Sequence, residues 1–240
     1  MNKEIFIKEL ENLNINVDDE KLEKLDKYAK FLVEYNKTTN LTAITEIDDI
    51  YLKHFYDSLT IVRAIDLNKV NNVIDIGSGA GFPGVVLKII FPNLNITLLD
   101  SNNKKTKFLT ELTKLLNLDN VTIINERSED YARKHLESYD LVTSRAVTTL
   151  PALVELCLPL VKVNGYFIPL KGTAQEEIKL SSNIIKKLNG NIESIDEFNL
   201  PIENAKRTII KIKKTGITPK CYPRNYASIK KDVEKMTKIK

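Results

Sequence analysis

Cysteine and histidine are scarce in this chain. Cys157 and Cys221 are its two cysteines, too few for a disulfide framework and without zinc-site spacing. His54 and His135 are its two histidines, which argues against a His-rich metal centre. No apolar run approaches the roughly 18–20 residues of a membrane span. The opening segment, residues 1–13, lacks the basic-then-apolar layout of a secretory signal. These absences lead us to expect a cytoplasmic protein with no membrane and no metal; a monomer is expected as well, though no feature of the sequence fixes the oligomeric state. The 240 residues, 42% hydrophobic and 28% charged, are enough to bury a sizeable core and are not the composition of a disordered chain.

Charge is unevenly spread. The net charge is +4, yet residues 211–240 carry ten Lys/Arg against Asp232 and Glu234, a net +8 that leaves −4 on the first 210 residues. A basic end on an acidic-leaning body suits a polyanionic partner, or serves as a solubilising tail.

Periodicity predicts helices over 3–13, 18–39 and 46–64, the last with Ile47, Tyr51, Phe55, Leu59 and Val62 as its buried stripe. From about residue 67 the pattern changes. Short β-rich runs (73–76, 96–99, 121–124, 141–144 and 166–170) alternate with amphipathic stretches (84–91, 103–117, 128–137, 150–162 and 174–189), and two more strands follow near 192–198 and 206–213. Such alternation implies an α/β chain with a parallel sheet between helices. It divides into a helical cap (1–66), a ligand-binding sheet domain (67–214) and a basic tail (215–240).

The run Val73-Ile74-Asp75-Ile76-Gly77-Ser78-Gly79-Ala80-Gly81-Phe82-Pro83-Gly84 is the strongest signal. A strand enters closely spaced glycines and a helix opens behind them, so a ligand can lie against bare backbone. The next predicted strand ends in Asp100, placed to accept hydrogen bonds from both ribose hydroxyls. Together they point to an adenosine-containing ligand. Two remain open. Gly79-Ala80-Gly81-Phe82-Pro83-Gly84 spells the dinucleotide fingerprint G-x-G-x-x-G. Read from Asp75 the loop is D-x-G-x-G-x-G, which resembles the first motif of S-adenosylmethionine-dependent methyltransferases. Asp75 favours the second, because a carboxylate beside the loop suits a cationic amino-acid group and repels a pyrophosphate.

The third strand leads into Ser128 and Glu129, whose backbone N–H groups could meet an adenine nitrogen, and the fourth delivers Arg145 to the ligand edge of the sheet. No Asn/Asp-Pro-Pro-aromatic turn follows that fourth strand, which disfavours an exocyclic amine as methyl acceptor. Cys157 lies in an apolar helix and is a poor nucleophile. A ring nitrogen with a free lone pair, such as guanine N7, fits better: it needs alignment and electrostatic support but no general base. His54, with Asp57 and Ser58 one turn away, forms a polar cluster on an otherwise apolar helix. Tyr222-Pro223-Arg224 joins an aromatic face to a guanidinium, groups that suit stacking and phosphate contact with RNA. Tyr226-x-x-x-Lys230 matches a dehydrogenase pattern, which in so lysine-rich a chain reads as coincidence.

In order along the chain stand Asn40-Leu41-Thr42-Ala43-Ile44, His54, Asp57-Ser58-Leu59, the glycine loop, Leu98-Leu99-Asp100-Ser101, Ser144-Arg145-Ala146, Leu170-Lys171-Gly172 and Tyr222-Pro223-Arg224. This ordered set resembles the RsmG (GidB) family of bacterial 16S rRNA guanine-N7 methyltransferases, over about residues 5–231. The resemblance implies a Rossmann-like sheet with an N-terminal helical cap, S-adenosyl-L-methionine as cofactor, and 16S rRNA of the small ribosomal subunit as partner. It implies that Gly77 and Phe82 lie against the cofactor, that Ser128 and Glu129 flank its adenine, and that Arg145 stands beside the methionine or the target base. His54, Asp57, Ser58 and Lys171 fall at positions it associates with RNA or the target site. The expected site is therefore Asp75, Gly77, Gly79, Phe82, Asp100, Ser128, Glu129 and Arg145 for the cofactor, with Arg145, His54 and Lys171 at the chemistry. Other classes stay open at this point: a nucleotide-dependent oxidoreductase, or a ribosome-binding protein without catalysis.

Overall fold

β-Branched runs separated by amphipathic helices bury their apolar residues most completely as a parallel sheet with helices on both faces. The computed structural model describes residues 1–238; Ile239 and Lys240, the end of the basic tail, lie outside the described residues. Its strands are β1 (Asn72–Ile76), β2 (Asn95–Leu99), β3 (Val121–Ile124), β4 (Tyr139–Arg145), β5 (Val161–Lys171), β6 (Gly190–Asn199) and β7 (Lys206–Lys214). They form one sheet in the order β3-β2-β1-β4-β5-β7-β6. β1 to β5 run parallel, and β7 is antiparallel to both β5 and β6. Chain order reverses between β1 and β4, so a crevice opens at their carboxyl ends, the usual ligand position in a doubly wound sheet.

Alternation along each strand sorts the core into two layers. Val73, Ile96, Leu98, Leu141 and Ile168 face one side, where α1 (Lys3–Asn12), α2 (Asp19–Thr39), α4 (Gly84–Ile90) and α5 (Asn103–Leu115) pack. Ile74, Ile76, Leu99, Val142 and Phe167 face the other, against α6 (Ser128–Lys134), α7 (Leu150–Cys157) and α8 (Gln175–Lys187). The N-terminal helices therefore sit on the same sheet face as α4 and α5. α2 begins where the Asp18 carboxylate accepts the Lys21 N–H at 2.8 Å and stops at Asn40, whose φ of 51° is left-handed.

Between them lies α3, a composite helix over 47–63. It runs α-helical at Ile47–Asp49, π-helical at Ile50–Tyr56, α-helical again at Asp57–Leu59 and 3₁₀ at Thr60–Arg63. The expected single stripe is not what is observed. Ile47 is exposed, whereas every residue from Ile50 to Ile61 except Lys53 is buried, because protein surrounds this segment on all sides. The wider π turns carry His54 and Asp57 inward with the apolar residues. Two other boundaries differ. α7 ends at Cys157, because Pro159 and the start of β5 follow. The basic tail contains a helix, α9 (Tyr226–Lys238), whose Ile229 is buried in the second core layer.

Candidate active site

The glycine loop follows β1 directly. Gly77, Gly79 and Gly81 all have positive φ, at 70°, 58° and 98°. A side chain at Gly81 would meet the Tyr28 hydroxyl at 2.5 Å and Val85 at 2.7 Å, so glycine is demanded there by packing as well as by conformation. At Gly79 a Cβ would meet nothing nearer than the Gly77 carbonyl at 3.8 Å, so that side of the loop is open. The Gly79 N–H donates to Asp100 Oδ2 at 3.0 Å, and the Asn102 N–H donates to Oδ1 at 2.9 Å. Asp100 thus stands at the end of β2, tied to the loop. A crevice of about 280 Å³ opens there, lined by Gly77, Asp100, Ser128, Glu129, Ala146 and Tyr226 among others. Ser128 and Glu129 open α6, where backbone N–H groups have no intrahelical partner.

Of the residues expected at the cofactor, Gly77, Asp100, Ser128 and Glu129 line this crevice, whereas Asp75, Gly79, Phe82 and Arg145 do not. Asp75 is wholly buried beneath the loop. Its Oδ2 accepts the Gly84 N–H at 2.9 Å and its Oδ1 has no partner. Burial pushes its carboxyl up to about 7, with the Gly84 N–H and the Arg145 charge pulling the other way. The Phe82 ring turns toward the cap, stacked between His54 (4.2 Å) and Tyr28 (5.4 Å), with the Arg145 guanidinium 5.1 Å from its centre. Tyr28 also donates its hydroxyl hydrogen to the Ala80 carbonyl, so α2 is bound to the glycine loop.

A second hollow, of about 410 Å³, is lined by Lys53, His54, Asp57, Arg145, Lys171 and Arg207 among others, and Ala146 lines both hollows. Arg145 leaves the end of β4 and crosses to α3. Nη1 donates to the Lys53 carbonyl (2.7 Å) and to Asp57 Oδ2 (3.0 Å), and Nη2 donates to His54 Nδ1 (3.0 Å). Asp57 Oδ1 accepts from Arg207 Nε at 2.8 Å, so one buried carboxylate holds two guanidinium groups. Since Arg145 can only donate, His54 Nδ1 is an acceptor and Nε2 carries the hydrogen, donated to Thr42 Oγ1 at 3.0 Å. Burial, then the neighbouring Arg145 charge, holds the imidazole down to about 3, so His54 is neutral.

Lys171 lines the same hollow, but its ammonium donates to the Thr148 carbonyl (3.0 Å) and pairs with Glu177 (2.9 Å). Glu177 also accepts the Leu150 N–H at 2.6 Å. Lys171 therefore fastens the 146–150 turn that carries Ala146. Ser58, expected beside His54, is wholly buried and donates to the His54 carbonyl at 2.5 Å, within α3.

Arg224 is not presented to a phosphate. Its Nε and Nη2 donate to the two oxygens of Glu155 at 2.8 and 2.7 Å, and Nη1 pairs with Asp232 at 2.7 Å. A buried carboxylate on α7 thus claims the guanidinium that the sequence offered to RNA. Lys53, Glu203, Arg207, Lys105 and Leu156 line the hollows without having been singled out in the sequence, and Tyr226 was singled out only for a pattern read as coincidence. Arg207 lies in a strand of alternating Lys and Ile, where nothing separates it from an ordinary exposed cation. Among the described residues no group of three or more His, Cys, Asp and Glu is placed to hold a metal ion, and no helix is long and apolar enough to cross a membrane.

Comparison with known proteins bears on this geometry. The model of the family described as GidB, rRNA small subunit methyltransferase G, matches residues 21–207. The ribosomal RNA small subunit methyltransferase G of Bacillus licheniformis is 47% identical over 227 residues, covering 93% of this chain and 95% of that protein. The protein of the same name from Bacillus subtilis is 46% identical over the same shares, and that from Halalkalibacterium halodurans is 46% identical over 91% of this chain and 93% of its own. Among solved structures, a SAM-dependent methyltransferase from Aquifex aeolicus superposes with a TM-score of 0.50 at 16% identity, covering 68% of this chain and 92% of that one. P. horikoshii TYW2 in complex with MeSAdo gives 0.50 at 14% identity, over 60% and 56%. At such identities the two solved structures speak to the fold alone.

Proposed function

The chain belongs to the GidB family of ribosomal RNA small subunit methyltransferases, and from that premise we propose that it moves the methyl group of S-adenosylmethionine to N7 of a guanine in 16S rRNA. The observation that carries this reading is the meeting of two hollows at Ala146, one polar and glycine-walled, the other basic. S-adenosylmethionine suits the first. Positive-φ glycines expose bare backbone, and the Asp100 carboxylate is at hand for ribose hydroxyls. Asp100 in the crevice wall suits a ligand with a ribose and an ammonium group better than the pyrophosphate of a nicotinamide dinucleotide. When bound, the cofactor supplies an electrophilic methyl group on a sulfonium sulfur.

The protein's part is binding and alignment. Gly77 and Gly79 admit the ligand close to the chain, Asp100 holds its sugar, and the N–H groups at Ser128 and Glu129 meet its adenine. Arg145 is aimed by Asp57, the Lys53 carbonyl and His54. Three of its five hydrogens are engaged there, leaving two for an acceptor on the methionine or on the guanine. His54, Phe82 and Lys171 act as positioning residues: the first two fix the guanidinium and the third fixes Ala146.

The acceptor hollow contains no free base. The His54 Nδ1 lone pair is taken by Arg145, Asp57 is held by two arginines, and Glu203 is paired with Lys53 at 2.8 Å. This matches guanine N7, whose lone pair is available at neutral pH and whose methylation releases no proton. Rate enhancement then comes from alignment and a preorganised electrostatic site.

The test is incubation with methyl-labelled S-adenosylmethionine and small ribosomal subunits lacking the modification, followed by mapping of the label. A single guanine carrying the label on N7 is expected. Label on another base or on an exocyclic nitrogen refutes the acceptor chemistry. NAD(H) binding without S-adenosylhomocysteine binding refutes the cofactor.

A further inference from the structure

One lining residue of the cofactor crevice comes from outside the sheet and its connections. Tyr226 opens α9, about a hundred residues beyond Ser128 in the chain, and stands in the same crevice as Asp100, Ser128 and Glu129. Its ring is held. The Arg127 guanidinium lies 4.8 Å from its centre, and Arg127 Nε donates to Glu129 Oε1 at 3.2 Å. The segment behind it is held too. Arg224 grips Glu155 through both side-chain oxygens and Asp232 through Nη1, its backbone N–H donates to Glu155 Oε1 at 3.0 Å, and Ile229 is buried one turn on. Leu156, next to Glu155 on α7, lines the crevice beside it.

We propose that Tyr226 is a cofactor-binding residue: its ring and Leu156 form the surface on which the adenine of the methyl donor packs. This deepens the reading of the crevice as the S-adenosylmethionine site and rests on it. A purine placed by the N–H groups of Ser128 and Glu129 is fixed along its edge but needs an apolar or aromatic partner for its face. Leu99, Val147 and Leu156 give the crevice aliphatic lining, and Tyr226 brings the π surface. The Arg224 grip on the buried Glu155 is then the fastening that keeps this ring in the wall. Stacking of a base on an aromatic side chain is typically worth about tenfold or more in affinity.

Titration calorimetry on the full chain tests this with S-adenosylhomocysteine and 5′-methylthioadenosine, which shares the adenine but lacks the amino-acid end. Tyr226→Ala is expected to weaken both by about tenfold, and Tyr226→Phe to leave both within about twofold. Unchanged affinity in Tyr226→Ala, or a loss confined to S-adenosylhomocysteine, overturns the inference. Failure of the wild-type protein to bind S-adenosylhomocysteine at all overturns instead the cofactor reading beneath it. Should Tyr226→Ala not fold, hydrogen exchange on the wild type decides: S-adenosylhomocysteine must slow exchange at the start of α9, and unaltered exchange there refutes the contact.

Discussion

Two glycines in one loop separate folding from binding. Gly79 and Gly81 both have positive φ, so alanine at either costs about 1–2 kcal/mol of backbone strain. At Gly79 nothing further is added, since the nearest atom to a new Cβ is 3.8 Å away. At Gly81 the methyl runs into the Tyr28 hydroxyl at 2.5 Å and Val85 at 2.7 Å. Overpacking of that kind adds a further ~1–3 kcal/mol. For a chain of this size each kcal/mol moves the melting temperature by about 2–4 °C. Ligand-free Gly79→Ala should therefore melt a few degrees below wild type, and Gly81→Ala on the order of 10 °C below it. Binding runs the other way. In the binding mode proposed above the donor approaches the backbone over the open side of Gly79, so Gly79→Ala should lose about a hundredfold in S-adenosylhomocysteine affinity, or ~2.7 kcal/mol. Thermal denaturation without ligand and calorimetry with it give the two readings. A Gly79→Ala protein that binds as tightly as wild type, or a Gly81→Ala protein that melts with it, refutes the geometry assigned to the loop.

Asp57→Ala leaves two guanidinium groups without their shared carboxylate and should cost about 3–5 kcal/mol in chemical denaturation; a loss below ~1 kcal/mol, the range of solvated surface pairs, refutes the buried network. Asp75 has a folded-state pKa raised to about 7, so the stability tied to its bound proton is present below its ordinary value of 3.8 and is lost as pH rises through about 7. Asp75→Asn should accordingly melt above wild type at pH 8, with the gap closing toward pH 4, and a gap independent of pH speaks against this. His54, held down to about 3, costs stability as pH falls from its ordinary 6.5 toward that value. Nitrogen NMR of the imidazole should find it neutral and protonated on Nε2 at pH 5, and a midpoint near 6.5 would contradict the Arg145 contact.

Legibility in the sequence followed locality. β1, the glycine loop and Asp100 are adjacent or one βαβ unit apart, and each has a local cause: apolar alternation, positive φ, a strand-terminal acid. Their placement at one edge of the sheet was readable for that reason. What was not readable depended on contacts distant in the chain. The inward turn of His54 and Asp57 comes from π-helical windings that no periodicity announces. The family resemblance puts Phe82 against the cofactor, yet Tyr28 and His54 draw its ring to the cap. Arg224 read as a phosphate ligand because its partner, Glu155, is 69 residues away in an apolar stretch where a charge looks out of place. Lys171 keeps its expected position, but its ammonium is spent on Thr148 and Glu177.

Ala146 has a left-handed φ of 55° and borders both hollows, which under the function proposed above makes it the shared partition between donor and acceptor. On the proposed reading, this one position touches both hollows. A bulkier residue there would leave two intact compartments, each able to admit its own guest, while the reacting atoms stay apart. Such a protein would be a silent decoy, loaded on both sides and chemically idle.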